Sequence, residues 1–413
     1  MTIAIWGKFK KLCARRKPHL NQLEMQSAGP GLPAVDSGLP RQVWKKRQNS
    51  MEPMPKLSWE VGTAYDLFIS LDVLHTPDRF ALRGNWAAGV RSRLPGEQRE
   101  FLQEVIKFHH IWPMPWLISL PAPKDSYTVL ERLAEIPAAR RLPEITGFYL
   151  DDSFKTLLHG VAAQGAWSNT EQRQLTDLYT EKHRKEGMSK KKVSEEEVQA
   201  TLNAWANTEQ FGLKYLDALK SYYEVFFNEE EERILPALTQ SAARAQELAG
   251  TLALADLLTE LSQGLRFDYE DVQEVKEVVM IPSFWTTPLS YFGPIGQGNE
   301  KWAFLYGGRP NDMSLVPGEV VPELLYNTLK ALADPTRLRI LKHLSDGPLT
   351  PAELARRLRL RPPTVIHHLD ALRLARLVQV TLSQQGRRYA ARQEAIEATC
   401  GLLHQFVSGE QPD

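Results

Sequence analysis

The pattern of apolar and polar positions divides the chain into a long helical stretch, a short β-prone segment and a compact C-terminal region. From residue 57 to about residue 264, segments rich in Leu, Ala, Glu and Lys follow one another without a sustained alternation, which predicts a large helical region. Ser194 followed by Glu197 has the spacing of a capping box and predicts a helix start. Four aromatic residues recur at helical spacing and are expected in the core: Tyr222, Tyr223, Phe226 and Phe227.

A β-prone segment follows the helical stretch. Apolar runs at 278–281 and 302–306 lie on either side of a glycine series at 293–298, and this pattern predicts a hairpin or a pair of strands. The glycines lack the helix and the Lys-Ser/Thr pair of a phosphate loop, so we interpret them as a flexible connection. The aromatic residues here either pack the sheet onto the helices, which we favour, or line an effector pocket. They are Phe284, Trp285, Tyr291, Phe292 and Trp302.

Three helix starts lie close together in the C-terminal region. Asp334 followed by Pro335 supplies an N-cap acceptor and a first-turn proline, and Thr350, Pro351 and Glu353 make a capping box. A third helix is predicted from Pro362, with the preceding residue, Arg361, as its N-cap. The leucines expected on the buried faces of the first two helices are Leu338, Leu341 and Leu344, then Leu354 and Leu358.

The third helix and the segment after it have two distinct faces. At about 100° per residue, Val365, Leu369 and Leu372 share one side of the helix, while His367 lies near the centre of the other. Apolar and polar residues then alternate over 378–383, and a turn at residues 385–386 leads into Arg387 and Arg388. This pattern predicts a two-stranded wing with cationic residues at its tip, followed by a final helix over about residues 394–407.

Charge is concentrated in this region although the whole chain is neutral, with 50 Lys and Arg against 50 Asp and Glu. Residues 334–392 hold twelve Lys and Arg against four Asp and Glu, a local net charge of +8. A basic face beside an exposed helix is the pattern expected of a protein that binds double-stranded DNA in its major groove. The residues for which we predict DNA contacts are Arg361, Thr364, Ile366, His367, His368, Arg373, Arg387 and Arg388.

The C-terminal sequence resembles the signature of ArsR-type repressors. The resemblance rests on residues 329–341, on Pro363-Thr364-Val365, on His367-His368-Leu369 and on Leu372-Arg373, and it covers about residues 321–407. It implies a winged helix-turn-helix homodimer, with the first and last helices of the domain at the dimer interface. It also implies that the third helices enter successive major grooves of a palindromic operator. The helical region upstream is similar to that of large ArsR-like regulators.

Two departures from the family pattern bear on DNA recognition. The resemblance implies a base-contacting Ser where this chain has Ile366, whose apolar side chain is suited to a thymine methyl group. Asp370 stands where a cation is frequent, so it would repel a phosphate or accept a hydrogen bond from a cytosine amine. The operator sequence therefore cannot be read from the family.

Cysteine usage and apolar run length limit other chemistry. Cys13 and Cys400 are the only cysteines, which fits a reducing cytoplasm, and residues 352–355 lack the cysteine pair often found in metal-sensing ArsR members. Cys400 and His404 share a helix face and form a partial ligand set, but we interpret them as packing residues of the dimer interface and predict neither metal nor other cofactor. No apolar run approaches the roughly 18 residues of a membrane span, so we predict no membrane partner.

These patterns predict a mainly α chain that ends in an α+β winged helix-turn-helix. We divide it into a disordered basic extension at 1–54, a mostly helical effector or interaction domain at 55–315, and a DNA-binding and dimerisation domain at 318–408. The function predicted is sequence-specific transcription regulation, by a repressor whose N-terminal domain senses a small molecule or a partner.

Two alternatives stay open for the N-terminal domain: an enzyme with a regulatory DNA-binding tail, or a protein-interaction module. The first has little support, since no hydrolase, zinc-protease or nucleotide-loop motif is present and we predict no catalytic residue. The most suggestive polar pairs, His109-His110 and Asp151-Asp152, are interpreted as ordinary surface or helix-end residues.

Overall fold

The computed structural model describes residues 55–109, 111–185, 192–267, 272, 275–295, 300–383 and 386–408. The basic extension predicted at 1–54 lies outside the described residues, as do His110, part of the glycine series and Gln385 of the wing turn.

Helices dominate the N-terminal region, as the sequence predicts. Ser194 is the N-cap residue at the predicted helix start and accepts from the Glu197 amide. The helices are α1 Thr63–His75, α2 Gly84–Ser92, α3 Gly96–Glu104, α4 Met114–Ser119, α5 Ser126–Glu135, α6 Ala138–Thr146, α7 Asp152–Gln164, α8 Asn169–Lys185, α9 Glu195–Ala206, α10 Thr208–Tyr222, α11 Asn228–Ala249 and α12 Leu254–Ser262. Shorter helical turns are at Pro77–Phe80, Val105–His109 and Tyr223–Phe227.

Helix α1 is the centre of this region. Eleven of its thirteen residues are buried, which is the pattern of a helix surrounded by others. Asp66, in its first turn, is fully buried and accepts hydrogen bonds from Ser283 Oγ (2.6 Å) and from the backbone amides of Phe284 (3.0 Å) and Trp285 (2.9 Å). This carboxylate therefore fixes α1 to the segment at residues 283–285.

A four-stranded mixed sheet lies next to α1. Its strands are β1 Lys56–Trp59, β3 Glu277–Ser283, β4 Tyr291–Pro294 and β5 Lys301–Gly307, in the order β1-β3-β5-β4. Strands β1, β3 and β5 run parallel, and β4 is antiparallel to β5. The strands predicted around 278–281 and 302–306 are confirmed. Of the two alternatives, a hairpin or a pair of strands, the structure has the pair, because β3 and β5 run parallel. Strand β1 lies at the start of the region predicted to be mostly helical and is too short to show a sustained alternation.

Both faces of the sheet are covered. Alternate residues of a strand point to opposite faces, so β3 and β5 contribute to two hydrophobic cores and appear in the sequence as continuous apolar runs. One face packs on α11 and α12 through Val278, Met280, Trp302, Phe304 and Tyr306. The other joins the large helical core through Val279, Ile281, Ala303 and Leu305.

The aromatic residues singled out in the sequence belong mainly to these cores. Phe284, Trp285, Phe292 and Trp302 are at most 2% exposed, and Tyr291 is half-buried, so packing is confirmed as their role. At the end of α10 and in the helical turn after it, Tyr222, Phe226 and Phe227 are buried as predicted, while Tyr223 is half-buried.

The C-terminal region is a winged helix-turn-helix. Its elements are α13 Glu323–Leu332, α14 Pro335–Leu344, α15 Pro351–Leu358, α16 Pro362–Leu374, β6 Val378–Ser383, β7 Gly386–Ala391 and α17 Gln393–Ser408. All the predicted helix starts are confirmed. Leu338 is a correction: it is 49% exposed, whereas Ile340 is fully buried. At about 100° per residue, Leu338 lies about 110° from the centre of the face formed by Ile340, Leu341 and Leu344.

A short strand links the two regions. β2, Leu265–Arg266, follows α12 and pairs in parallel with β6, so that the sheet order is β2-β6-β7. The Val380 amide donates to the Gly264 carbonyl (2.8 Å), and Leu265 packs against the cores on both sides. The wing sheet therefore has one more strand than predicted. The division of the chain near residues 315–318 stays a prediction.

Candidate nucleic-acid interface

Helix α15 is held at its N-terminus by a complete capping box. The Thr350 amide donates to Glu353 Oε2 (2.7 Å), and the Glu353 amide donates to Thr350 Oγ1 (3.2 Å). The hydrogen bonds from the Thr350 backbone and hydroxyl hold the pKa of Glu353 below its ordinary value, so the carboxylate stays charged at the positive end of the helix. The first helix of the helix-turn-helix pair thus has a defined start.

The turn between α15 and α16 sets the direction of α16. Arg359 ends α15 in the left-handed conformation (φ 55°), and Arg361 is in extended conformation as the N-cap residue of α16. Two prolines occupy the first helical positions, where no amide hydrogen has an intrahelical acceptor. The chain therefore enters α16 with little conformational freedom.

Helix α16 has one packed and one exposed face. Val365, Leu369 and Leu372 are fully buried among the side chains of the domain core, as predicted. On the other face Arg361, Thr364 and His367 are exposed, and Ile366 is 43% exposed. Four of the eight predicted contact residues therefore lie together on the free face of one helix.

Two predicted contact residues on α16 are less accessible. The side chain of His368 is 15% exposed, and its Nδ1 lies 3.8 Å from Oδ1 of Asp334, the N-cap residue of α14. Burial lowers the pKa of His368, so the imidazole is neutral near pH 7. Arg373 is half-buried, and burial also lowers its pKa, with the Asp370 carboxylate opposing that shift. Both side chains are therefore less accessible than those of the four residues on the free face.

The wing places its two arginines beside the helix-turn-helix. Arg387 and Arg388 are half-buried on β7, and the positive charge of Arg387 contributes to the lowered pKa of Arg373. Arg388 donates from Nη1 to the Pro348 carbonyl (3.0 Å). An antiparallel bridge between Leu349 and Tyr389 fixes β7 to the segment before α15.

The remaining arginines of this region separate into two groups. Arg356, Arg357 and Arg359 are exposed around the turn of the helix-turn-helix and extend the basic surface. Arg376 does not: its Nη1 donates to Asn311 Oδ1 (2.8 Å) in the segment between β5 and α13. The local charge count includes Arg376 with the other arginines, because a count of charges does not show which way a side chain points.

No group of three or more His, Cys, Asp or Glu side chains able to hold a metal ion occurs among the described residues. Cys400 and His404 are exposed on α17. In the N-terminal region Asp151 caps α7 by accepting from the amides of Ser153 and Phe154, so its interpretation as a helix-end residue is confirmed. The described helices include none with the length and apolar character to cross a membrane.

Comparison with known proteins agrees with this geometry. Residues 334–380 match the model of the family described as bacterial regulatory protein, arsR family. The HTH-type transcriptional regulator CmtR of Mycobacterium tuberculosis is 40% identical over 84 residues, which are 20% of this chain and 71% of that protein. The chain belongs to the ArsR family.

Two further relatives also match a limited part of the ArsR-type chain. The transcriptional repressor SdpR of Bacillus subtilis is 27% identical over 82 residues, which are 20% of this chain and 91% of SdpR. The HTH-type transcriptional regulator Rv2034 of Mycobacterium tuberculosis is 51% identical over 49 residues, 12% of this chain and 46% of that protein. No solved structure matches the chain significantly. The chain is a DNA-binding transcriptional regulator, and each of these relatives matches no more than a fifth of it.

Proposed function

We propose that this ArsR-type regulator is a cytoplasmic repressor that binds a palindromic operator as a homodimer and responds to an effector through its N-terminal region. The observation that supports DNA recognition by α16 is its free face, on which Arg361, Thr364, Ile366 and His367 are exposed beside the wing. A helix with this exposure fits the major groove, while the surrounding arginines fit the phosphates on either side.

A dimer is supported by apolar side chains on the first and last helices of the domain. Tyr326 and Leu329 on α13, and Leu403, Phe406 and Val407 on α17, are between 37% and 77% exposed in the single chain. A second copy related by a twofold axis would bury them and place the two α16 helices on successive grooves. We expect Phe406→Lys to shift the protein toward monomer in sedimentation equilibrium, with Val320→Lys, another exposed apolar position, as the control.

Control by the N-terminal region is supported by the strand that it adds to the wing sheet. Strand β2 is held to β6 by backbone pairing, and Arg392, just before α17, donates from Nη1 to the Gln263 carbonyl (2.8 Å). A change in the position of α12 would therefore reach the wing directly. This supports a sensing or partner-binding role rather than an independent enzyme joined by a linker.

The test is binding to the promoter region of the chain's own gene. We expect the logarithm of the association constant to fall linearly with the logarithm of salt concentration, because phosphate contacts release counterions. Arg361→Ala combined with Arg387→Ala should abolish specific binding, and Arg244→Ala, at an exposed arginine of α11, should leave it unchanged. Equal affinity of the double variant and the unaltered protein would contradict the proposal.

The enzyme alternative is tested separately. A turnover screen on the full-length protein with DNA absent should give no product if the N-terminal region only senses. An activity that survives Arg361→Ala with Arg387→Ala would instead favour an enzyme that carries a regulatory DNA-binding region.

A further inference from the structure

A narrow cleft lies where the N-terminal region meets the end of α16. Its walls come from the turn after α1, from the segment after β5, from α13 and from the end of α16, and it has room for about one water molecule. The charged and amide side chains that line it are Arg309, Asn311, Glu323, Asn327 and Arg376.

The cleft contains more positive than negative charge. Arg309 is 8% exposed; it pairs with Glu323 and donates to the Thr287 carbonyl (3.2 Å). Glu323 also accepts from the Leu315 amide (3.2 Å), so this carboxylate is already occupied. Arg376 makes no ion pair within the described part of the chain; the charges of Arg309 and Arg392 act on it, opposed by the more weakly acting carboxylate of Glu323.

The Arg376 guanidinium is left incompletely paired. Its Nη1 donates to Asn311, but its Nε is buried and has no acceptor within hydrogen-bond distance among the described residues. Burial, and then the charges of Arg309 and Arg392, lower the pKa of Arg376 to about 9. A buried donor without an acceptor is costly, and an anion that accepts from Arg376 in the cleft would offset that cost.

We propose that this cleft binds a small oxyanion, the phosphate or carboxylate group of the effector, between Arg309 and Arg376. A planar guanidinium with a free donor is suited to a two-oxygen acceptor, and the Asn327 amide lies in the same cleft. The closed cleft is too small for a phosphate, so binding must separate its walls. One wall of the cleft is the C-terminal end of α16. When the walls separate to admit the anion, α16 therefore takes a different position from the one it has in the closed state.

The first test measures anion binding without DNA. Full-length protein is titrated with inorganic phosphate, and in parallel with acetate, against chloride at constant ionic strength. We expect saturable heat and a rise in melting temperature with one of the two anions, which distinguishes a phosphate site from a carboxylate site. Arg376→Gln should weaken anion binding at least tenfold. Asn327→Asp should also weaken it at least tenfold, because it adds a negative charge to the cleft. The control, Arg244→Gln, should bind the anion as the unaltered protein does.

Several results would overturn the site. Absence of saturable binding by either anion would do so. Anion binding by Arg376→Gln and Asn327→Asp as tight as that of the unaltered protein would also do so, when both variants retain its melting temperature without anion. A loss of DNA affinity in Arg376→Gln without anion, with the salt slope reduced by about one, would assign Arg376 to a DNA phosphate instead.

The second test measures the link to DNA, and here the inference rests on the proposed function. At constant ionic strength the bound anion should lower operator affinity in the unaltered protein but not in Arg376→Gln. Anion binding without this effect would leave the site in place and overturn its regulatory role. Failure of operator binding in every condition would instead contradict the proposed function.

Discussion

Ile366 is one of two positions on α16 at which the residue differs from the family pattern, and a base contact there is a prediction. Its side chain is 43% exposed on the free face of α16, and an apolar group there is suited to a thymine methyl. We expect Ile366→Ser to reduce the preference for thymine at one position of each half-site, at a cost of about 1 kcal/mol or roughly fivefold in affinity. Selection from randomised operators with both proteins measures this.

The control for that substitution is Val320→Ser, at an apolar position that is 79% exposed and lies before α13. It should leave the selected sequence unchanged. An identical consensus from Ile366→Ser and the unaltered protein would show that Ile366 does not contact a base.

Asp66 gives the N-terminal region a distinct dependence on pH. Burial is the main reason that its pKa rises from the ordinary value of 3.8 to about 6, although three hydrogen bonds oppose the shift. Because the folded-state pKa is raised, the stabilisation by this group is complete below about pH 4 and is lost as the pH rises past 6. The loss amounts to about 3 kcal/mol in the free energy of unfolding.

We therefore expect the Asp66→Asn variant to lose less unfolding free energy than the unaltered protein as the pH rises from 4 to 7. Denaturant unfolding at each pH measures the difference, and Asp78→Asn, at an exposed aspartate, is the control. Parallel profiles for all three proteins would mean that Asp66 ionises with its ordinary pKa.

At the scale of elements, the capping box of α15 supports the helix against which α16 packs. Thr350→Ala removes the hydroxyl that accepts from the Glu353 amide and should cost about 1 kcal/mol. Hydrogen exchange of the first α15 amides should quicken about fivefold. The control is Thr239→Ala, at an exposed threonine of α11 away from any helix end, which should leave exchange in α15 unchanged. Unchanged α15 exchange in Thr350→Ala would mean that the cap does not stabilise the helix.

The same elements show how far sequence reasoning extends. The starts of α14, α15 and α16 were predicted correctly because Asp334, Thr350 and the prolines act within a few residues of themselves. The low accessibility of His368 was not predicted, because it depends on Asp334, which comes from another helix. Spacing along one helix specifies which side chains share a face, but it does not specify what packs against that face.

Strand pairing was the other part that local pattern could not provide. The apolar runs of β3 and β5 indicated strands, yet their parallel register depends on α1 and α11 covering the two faces of the sheet. Strand β2 has two residues and no periodicity, so its pairing with β6 leaves no local signal. The direction of Arg376 toward the cleft likewise depends on the N-terminal region.

At the scale of the whole molecule, β2 connects the N-terminal region to the wing by backbone pairing with β6. Arg266 stands opposite Thr381 in the parallel register, and Arg266→Pro removes a backbone donor from this two-residue strand. We expect the amides of β6 to exchange faster in the proline variant, because the edge of the wing sheet loses its neighbour.

Loss of this strand should also separate DNA binding from its control. With Arg266→Pro the operator affinity should stay within a few-fold of the unaltered protein, since α16 and its core are intact, while the response to an effector should weaken. Arg266→Ala keeps the backbone donor and is the matched control for the side chain. Unchanged β6 exchange in the proline variant would mean that β2 does not stabilise the wing. A full effector response despite faster β6 exchange would mean that β2 does not transmit the response. The contacts around the cleft at Arg376 would then be the remaining link between the N-terminal region and α16.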